Sequence, residues 1–201
     1  MTTTVSLSMW DLVDQQILSA ETAYRLVTHV RQHHRLLVTG SSGTGKTTLL
    51  RALLHESLMP DQSVVIVQPL NEWPSLPGAR DLRITGPLTM STLDLVQTIS
   101  PDYVIIDHEG DGSEILHAVV HHPYPGLLMT WNTGIQRDPA ILKAWDLVVR
   151  CSRDVHYRRT VEIIHDMAID NLQASIFASG PVTIIPCGSG MVRSLPMLGH
   201  A

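Results

Sequence analysis

The chain has 201 residues, 44% of them hydrophobic, enough to bury one sizeable core. A formal net charge of −5 argues against a nucleic-acid-binding surface, and no direct contact with nucleic acid is expected. Two cysteines, Cys151 and Cys187, are too few for a disulfide framework and fit a reducing cytoplasm.

The N-terminal stretch lacks the basic start and apolar run of a signal peptide. No stretch approaches the roughly 20 apolar residues that span a bilayer, so membrane contact is expected only through partners. Residues 7–18 carry a short helical pattern. Ser19 is placed to cap a second helix, with Ala20, Ala23, Tyr24, Val27 and Val30 on one face and His33, His34 and Arg35 near its C-terminus. Residues 1–34 are thus expected to form a helical lead-in packed on the core.

A short apolar strand over 35–38 then runs into Gly40-Ser41-Ser42-Gly43-Thr44-Gly45-Lys46-Thr47-Thr48. This fits G-x-x-x-x-G-K-[ST], the phosphate-binding P-loop, with the strand before it and the helix after it that the pattern requires. Glycines let the backbone wrap, its N–H groups turn toward an anion, and the helix start adds its positive dipole end. Residues 40–48 are therefore expected to hold ATP. Lys46 should reach the β- and γ-phosphates, and the Thr47 hydroxyl should hold Mg²⁺.

The P-loop helix should run to about Leu58, before Pro60. Val64-Val65-Ile66-Val67 within 63–68 reads as a fully buried strand, and 69–77 as a proline-rich loop that could expose Trp73 to a partner. Residues 82–85 suit a short edge strand. Arg80 and Arg83 beside it read as solvated, with trans-acting arginines at a subunit interface as the alternative. A helix is expected over 89–99, capped by Ser91 or Thr92 and stopped by Pro101. A strand over 103–107 ends in Asp107. A helix over 113–120, a strand over 126–131 and a short helix over 138–145 follow, with Trp131 and Trp145 read as core. Residues 146–151 and 159–164 look like an antiparallel hairpin turning near Asp154. A last strand is expected over 182–185 and a mobile tail over 188–201. His117 and His121 have the four-residue spacing of a helical metal pair, but no third ligand is suitably spaced. His33-His34 and His121-His122 read as surface pairs.

Strands alternating with helices after a P-loop imply an α/β fold: a mostly parallel sheet with helices on both faces and an antiparallel hairpin at its edge. This suits a RecA-like NTPase core over 35–187.

Three ordered blocks carry a family resemblance. The first runs from Leu18-Ser19-Ala20-Glu21-Thr22-Ala23 to Val30 and on through Leu36-Leu37-Val38-Thr39 and the P-loop to Leu50. The second is Met90-Ser91-Thr92-Leu93 followed by Pro101-Asp102-Tyr103-Val104-Ile105-Ile106. The third is Asp146-Leu147-Val148-Val149 with Arg158-Arg159-Thr160-Val161-Glu162-Ile163. Together they resemble the secretion ATPases of type II and type IV secretion, type IV pili and conjugative transfer, nearest the conjugative-transfer and tight-adherence pilus branch.

The resemblance implies Mg²⁺-dependent ATP hydrolysis by a cytoplasmic hexamer at the inner membrane, working with secretion or pilus components. Departures from the family pattern fall on water activation. The family's acidic box is Val67-Gln68 here, with Glu72 the nearest acid. Its Gly-Glu strand end is Asp107-His108, with Glu109 one step later. Asp107 is expected to serve as the Walker B aspartate for Mg²⁺, and His108 or Glu109 as the base. The family's Thr-x-His box is Thr130-Trp131-Asn132, where Asn132 could sense the γ-phosphate. The helical stretch before Asp146 is shortened, and the family's N-terminal domain has no counterpart in the sequence. The expectation is a motor-type ATPase. Alternatives are a degenerate nucleotide-binding paralogue that scaffolds or regulates a full-length ATPase, in a mixed ring, or another P-loop kinase or nucleotidase.

Overall fold

Strand β1 (Leu36–Thr39) is buried at all four positions, and its side chains alternate between two separate apolar clusters. The same alternation, with the period of two that a pleated strand imposes, recurs in β2 (Ser63–Gln68), β4 (Tyr103–Asp107), β5 (Leu127–Trp131) and β6 (Leu147–Arg153). Leu36, Val38, Val64, Ile66, Tyr103, Ile105 and Leu128 face one cluster. Leu37, Val65, Val67, Val104, Ile106 and Met129 face the other. A sheet apolar on both faces must be covered on both, which is the α/β architecture expected from sequence.

The computed structural model describes residues 7–69, 73–74, 76, 78–107, 116, 119, 121–122, 124–132, 142–167, 186–187 and 191–192. The chain divides into two units, Met1–Asp166 and Met167–Ala201. In the first, seven strands form one sheet in the order β3-β2-β4-β5-β1-β6-β7. All neighbours are parallel except β6 and β7 (Arg159–Asp166), an antiparallel pair with a bulge at Val148/Val149. In the second unit, β8 (Pro186–Cys187) pairs with β9 (Met191–Val192).

Helices α1 (Met9–Asp14), α2 (Ala20–Arg31) and α3 (Lys46–Ser57) pack on the first face, and α4 (Met90–Ile99) sends Leu93 and Val96 to the second. Ser19 caps α2 as expected: its side-chain oxygen accepts from the Thr22 backbone N–H at 3.0 Å. Among the described residues no helix is long and apolar enough to cross a membrane.

Several expectations are corrected. The buried face of α2 is Ala23, Leu26, His29 and Val30, whereas Tyr24 is 70% exposed; the stripe is rotated toward Leu26, so a histidine rather than the tyrosine enters the core. The cap of α4 is Thr89, whose hydroxyl accepts from the Thr92 N–H, not Ser91 or Thr92. The edge strand β3 is longer than expected, Arg80–Thr85, because it follows β2 residue for residue. His33 is half-buried, stacked on Tyr103 at 4.6 Å, and His34 Nδ1 lies 2.9 Å from His29 Nδ1. Met191–Val192, read as tail, is strand β9. The expected strand over 182–185, most of the helix over 113–120 and the first half of the one over 138–145 lie outside the described residues.

Candidate nucleotide-binding site

The sheet order puts β5 between β1 and β4, and all three run in the same direction. Register sets Thr39 opposite Trp131 and Asp107 opposite Thr130. The loop after β1 and the end of β4 therefore open at the same edge, where parallel sheets ordinarily hold ligands. The P-loop starts from a fixed point, since the Gly40 N–H donates to the Trp131 carbonyl at 3.2 Å.

Gly40 is required for two reasons. Its φ is +144°, and a Cβ there would lie 2.2 Å from the Cys151 carbonyl oxygen of β6. The glycine thus serves a close backbone approach as well as the wrap expected from the motif. At the other end of the loop Gly45 is the N-cap of α3, with φ 101° and no side-chain cap. The first N–H groups of a twelve-residue helix are left to an anion rather than to a capping hydroxyl, which suits a phosphate.

The Lys46 ammonium, buried with its stem, donates to the carbonyls of Gly40 at 2.9 Å and Ser41 at 3.0 Å. The Thr47 hydroxyl donates to Asp107 Oδ1 at 3.2 Å, and the Thr130 hydroxyl donates to the same oxygen at 2.8 Å. A cleft of about 340 Å³ is lined by Ser42, Gly43, Gly45, Lys46, Thr47, Thr48, Asp107, Thr130, Asn132 and Arg159. Gly40, Ser41 and Thr44 line an adjoining cleft of about 430 Å³, which Asn132 also borders. The structure so brings the expected P-loop residues, Asp107 and Asn132 to one place. His108 and Glu109 lie outside the described residues. The hydroxyl and carboxylate at the foot of α3 are the oxygen donors a small hard cation takes, so the residues present fit Mg²⁺.

Three participants were not recognised in the sequence. Trp73 is not an exposed contact residue: it is 2% exposed, and its indole N–H donates to Asp107 Oδ2 at 2.7 Å. Arg159, read only as part of the hairpin, lies over the loop, its Cδ 3.6 Å from where a Gly45 Cβ would be. Thr130, noted as a retained threonine, is a direct partner of Asp107. Cys151 lies behind the loop, and burial pushes its thiol up to about 12, offset in small part by Lys46. It stays protonated at neutral pH and offers no nucleophile. Arg83 is engaged within the chain, bonded to the Asp81 carboxylate and the Trp73 carbonyl, rather than solvated. Arg80 donates to the Asp61 carbonyl.

No family model matches the sequence. The conjugal transfer protein TrbB of Rhizobium radiobacter is 25% identical over 128 residues, which are 62% of this chain and 36% of that protein. Among solved structures, the VirB11 ATPase of the Brucella suis type IV secretion system superposes with a TM-score of 0.59 at 17% identity, over 86% of this chain and 60% of that one. The Legionella pneumophila ATPase DotB gives 0.55 at 15%, over 77% and 51%. The chain has the fold of the secretion ATPases. The pilus retraction motor PilT, solved with bound ADP, agrees, with a TM-score of 0.54 at 13% identity, over 82% and 57%. The resemblance carried by the three sequence blocks is thereby borne out. The chain spans about a third of the curated relative and 51–60% of these solved secretion-ATPase chains.

Proposed function

We propose that this chain binds ATP with Mg²⁺ at residues 40–48 and hydrolyses it as a motor-type component of a conjugation, type IV pilus or secretion apparatus. The observation that carries the reading is the meeting of Thr47 and Asp107 at 3.2 Å beside a helix start with no side-chain cap.

Backbone N–H groups of the loop and of the first turn of α3 take the phosphate oxygens. The Lys46 ammonium, held on two loop carbonyls, moves to the β- and γ-phosphates when they arrive, exchanging neutral acceptors for charged ones. Thr47 and Asp107 would hold Mg²⁺, which would supply charge neutralisation on the phosphates. Arg159 supplies a second cation from the same chain, beside Gly45. Asn132 orients the γ-phosphate end, and Glu109 or His108 takes the proton of the attacking water.

Turnover is slow in this reading. Gln68 replaces the acidic box, and its side-chain oxygen accepts the Trp73 N–H at 3.3 Å instead of adding a carboxylate near the metal. The same observation supports a second reading, a paralogue that binds nucleotide without turnover and joins a mixed ring with a full-length ATPase. In this reading the chain works in the cytoplasm beside inner-membrane components, as a homo-oligomer (a hexamer by the family resemblance) or in such a ring.

A magnesium-dependent ATPase assay beside sizing with and without nucleotide tests this. Slow hydrolysis with nucleotide-linked assembly supports the motor; tight binding without hydrolysis supports the paralogue. Absence of nucleotide binding contradicts both.

A further inference from the structure

We propose that Trp73 sets the metal selectivity of this site, holding Asp107 to one-oxygen coordination and so favouring Mg²⁺ over Ca²⁺. The proposal rests on the nucleotide-binding reading above and adds a specificity-determining residue to it.

The two oxygens of Asp107 have divided surroundings. Oδ1 accepts from the hydroxyls of Thr47 and Thr130, both of which can rotate and accept in turn. Oδ2 accepts from the Trp73 indole N–H at 2.7 Å, a group that only donates. That fixed donor takes one of the two lone pairs of Oδ2 and pins the plane of the carboxylate, which disfavours turning both oxygens onto one cation.

The indole is held in place from several sides. Its ring is buried and carries the Arg51 guanidinium 5.3 Å from the centroid. Its backbone N–H donates to Gln68 Oε1, and its carbonyl accepts from Arg83 Nη1 at 2.8 Å. Trp73 therefore keeps its N–H on Oδ2 when Oδ1 takes a metal. Mg²⁺ is satisfied by one oxygen from a carboxylate with water completing an octahedron, whereas Ca²⁺ takes more ligands and readily uses both carboxylate oxygens. A fixed donor on Oδ2 penalises the larger ion.

The test is the dissociation constant of a fluorescent, non-hydrolysable ATP analogue, measured with Mg²⁺ and with Ca²⁺ for wild type and Trp73→Phe. Wild type should bind more tightly with Mg²⁺, and Trp73→Phe should narrow the Mg²⁺/Ca²⁺ ratio about tenfold, the scale of one hydrogen bond to a charged group. Should Trp73→Phe not fold, benzothienylalanine at position 73 keeps the indole shape without the N–H, and the same narrowing is expected. An unchanged ratio in a folded variant, or no Mg²⁺ preference in wild type, overturns the proposal while leaving nucleotide binding intact. Wild type that binds the analogue with neither metal overturns the nucleotide reading and this proposal together.

Discussion

The Thr47 hydroxyl and the Asp107 carboxylate meet at 3.2 Å although sixty positions separate them in the chain. Parallel pairing of β1 and β4 to the two edges of β5 makes this meeting a consequence of the sheet itself. Asp107→Asn should separate its two roles. The amide can keep its oxygen on Trp73 and turn its NH₂ toward the two hydroxyls, which accept as well as donate. Urea midpoints close to wild type are expected, with loss of the magnesium dependence of nucleotide binding. A large drop in midpoint would show that the carboxylate is needed for the fold.

Two glycines of the loop should respond differently to alanine. At Gly40 the new methyl meets the Cys151 carbonyl at 2.2 Å and the Thr44 hydroxyl at 2.9 Å. Steric overlap and a left-handed backbone together should cost about 3 kcal/mol or more. At Gly43, with φ +76° and nothing within 4 Å, only the backbone term remains, about 1 kcal/mol. Chemical denaturation of the two variants measures the difference.

Arg159 is exposed and borders both the phosphate cleft and a cleft of about 840 Å³ near the hairpin turn. Arg159→Ala should leave the thermal midpoint within a degree or two, since exposed substitutions usually change stability by about 0.5 kcal/mol or less. Nucleotide affinity should fall about tenfold or more, on the scale of a charge-assisted hydrogen bond. Equal affinity by titration calorimetry would remove Arg159 from the site.

Acid should weaken the fold through His29. Burial lowers its pKa below the ordinary 6.5, Asp166 and Asp146 oppose that shift, and His34 and Arg25 add to it. The unfolded chain then takes up the proton first, so stability is present above pH 6.5 and is lost as pH falls through the lowered value. Thermal midpoints from pH 8 to 5 should decline on the acid side, and His29→Gln should flatten the decline. A midpoint rising as pH falls would reverse the sign.

Much of this arrangement was legible in the sequence because the relevant forces are local. The strand, glycine turn and helix over 36–57 follow from one contiguous pattern, as does the Ser19 cap. The hairpin was visible from two β-branched runs about a turn near Asp154, whose carboxylate accepts the N–H groups of His156 and Arg158. Trp73 was not, because a proline-rich loop has no periodicity and meets Asp107 only through the pairing of β2 with β4. Arg159 follows the turn in sequence, and only the antiparallel return of β7 carries it over Gly45. His29 escaped notice because one residue of rotation about a helix axis exchanges an apolar stripe for its neighbour.

The most direct measurement is equilibrium binding of a fluorescent ATP analogue to wild type and Lys46→Ala, with magnesium and with excess chelator. Wild type should bind in a magnesium-dependent manner and Lys46→Ala should lose at least about a hundredfold in affinity, several charge-assisted contacts being lost together. Affinity unchanged in Lys46→Ala, in a variant shown by circular dichroism to be folded, would contradict the assignment of the loop at residues 40–48 as the phosphate site.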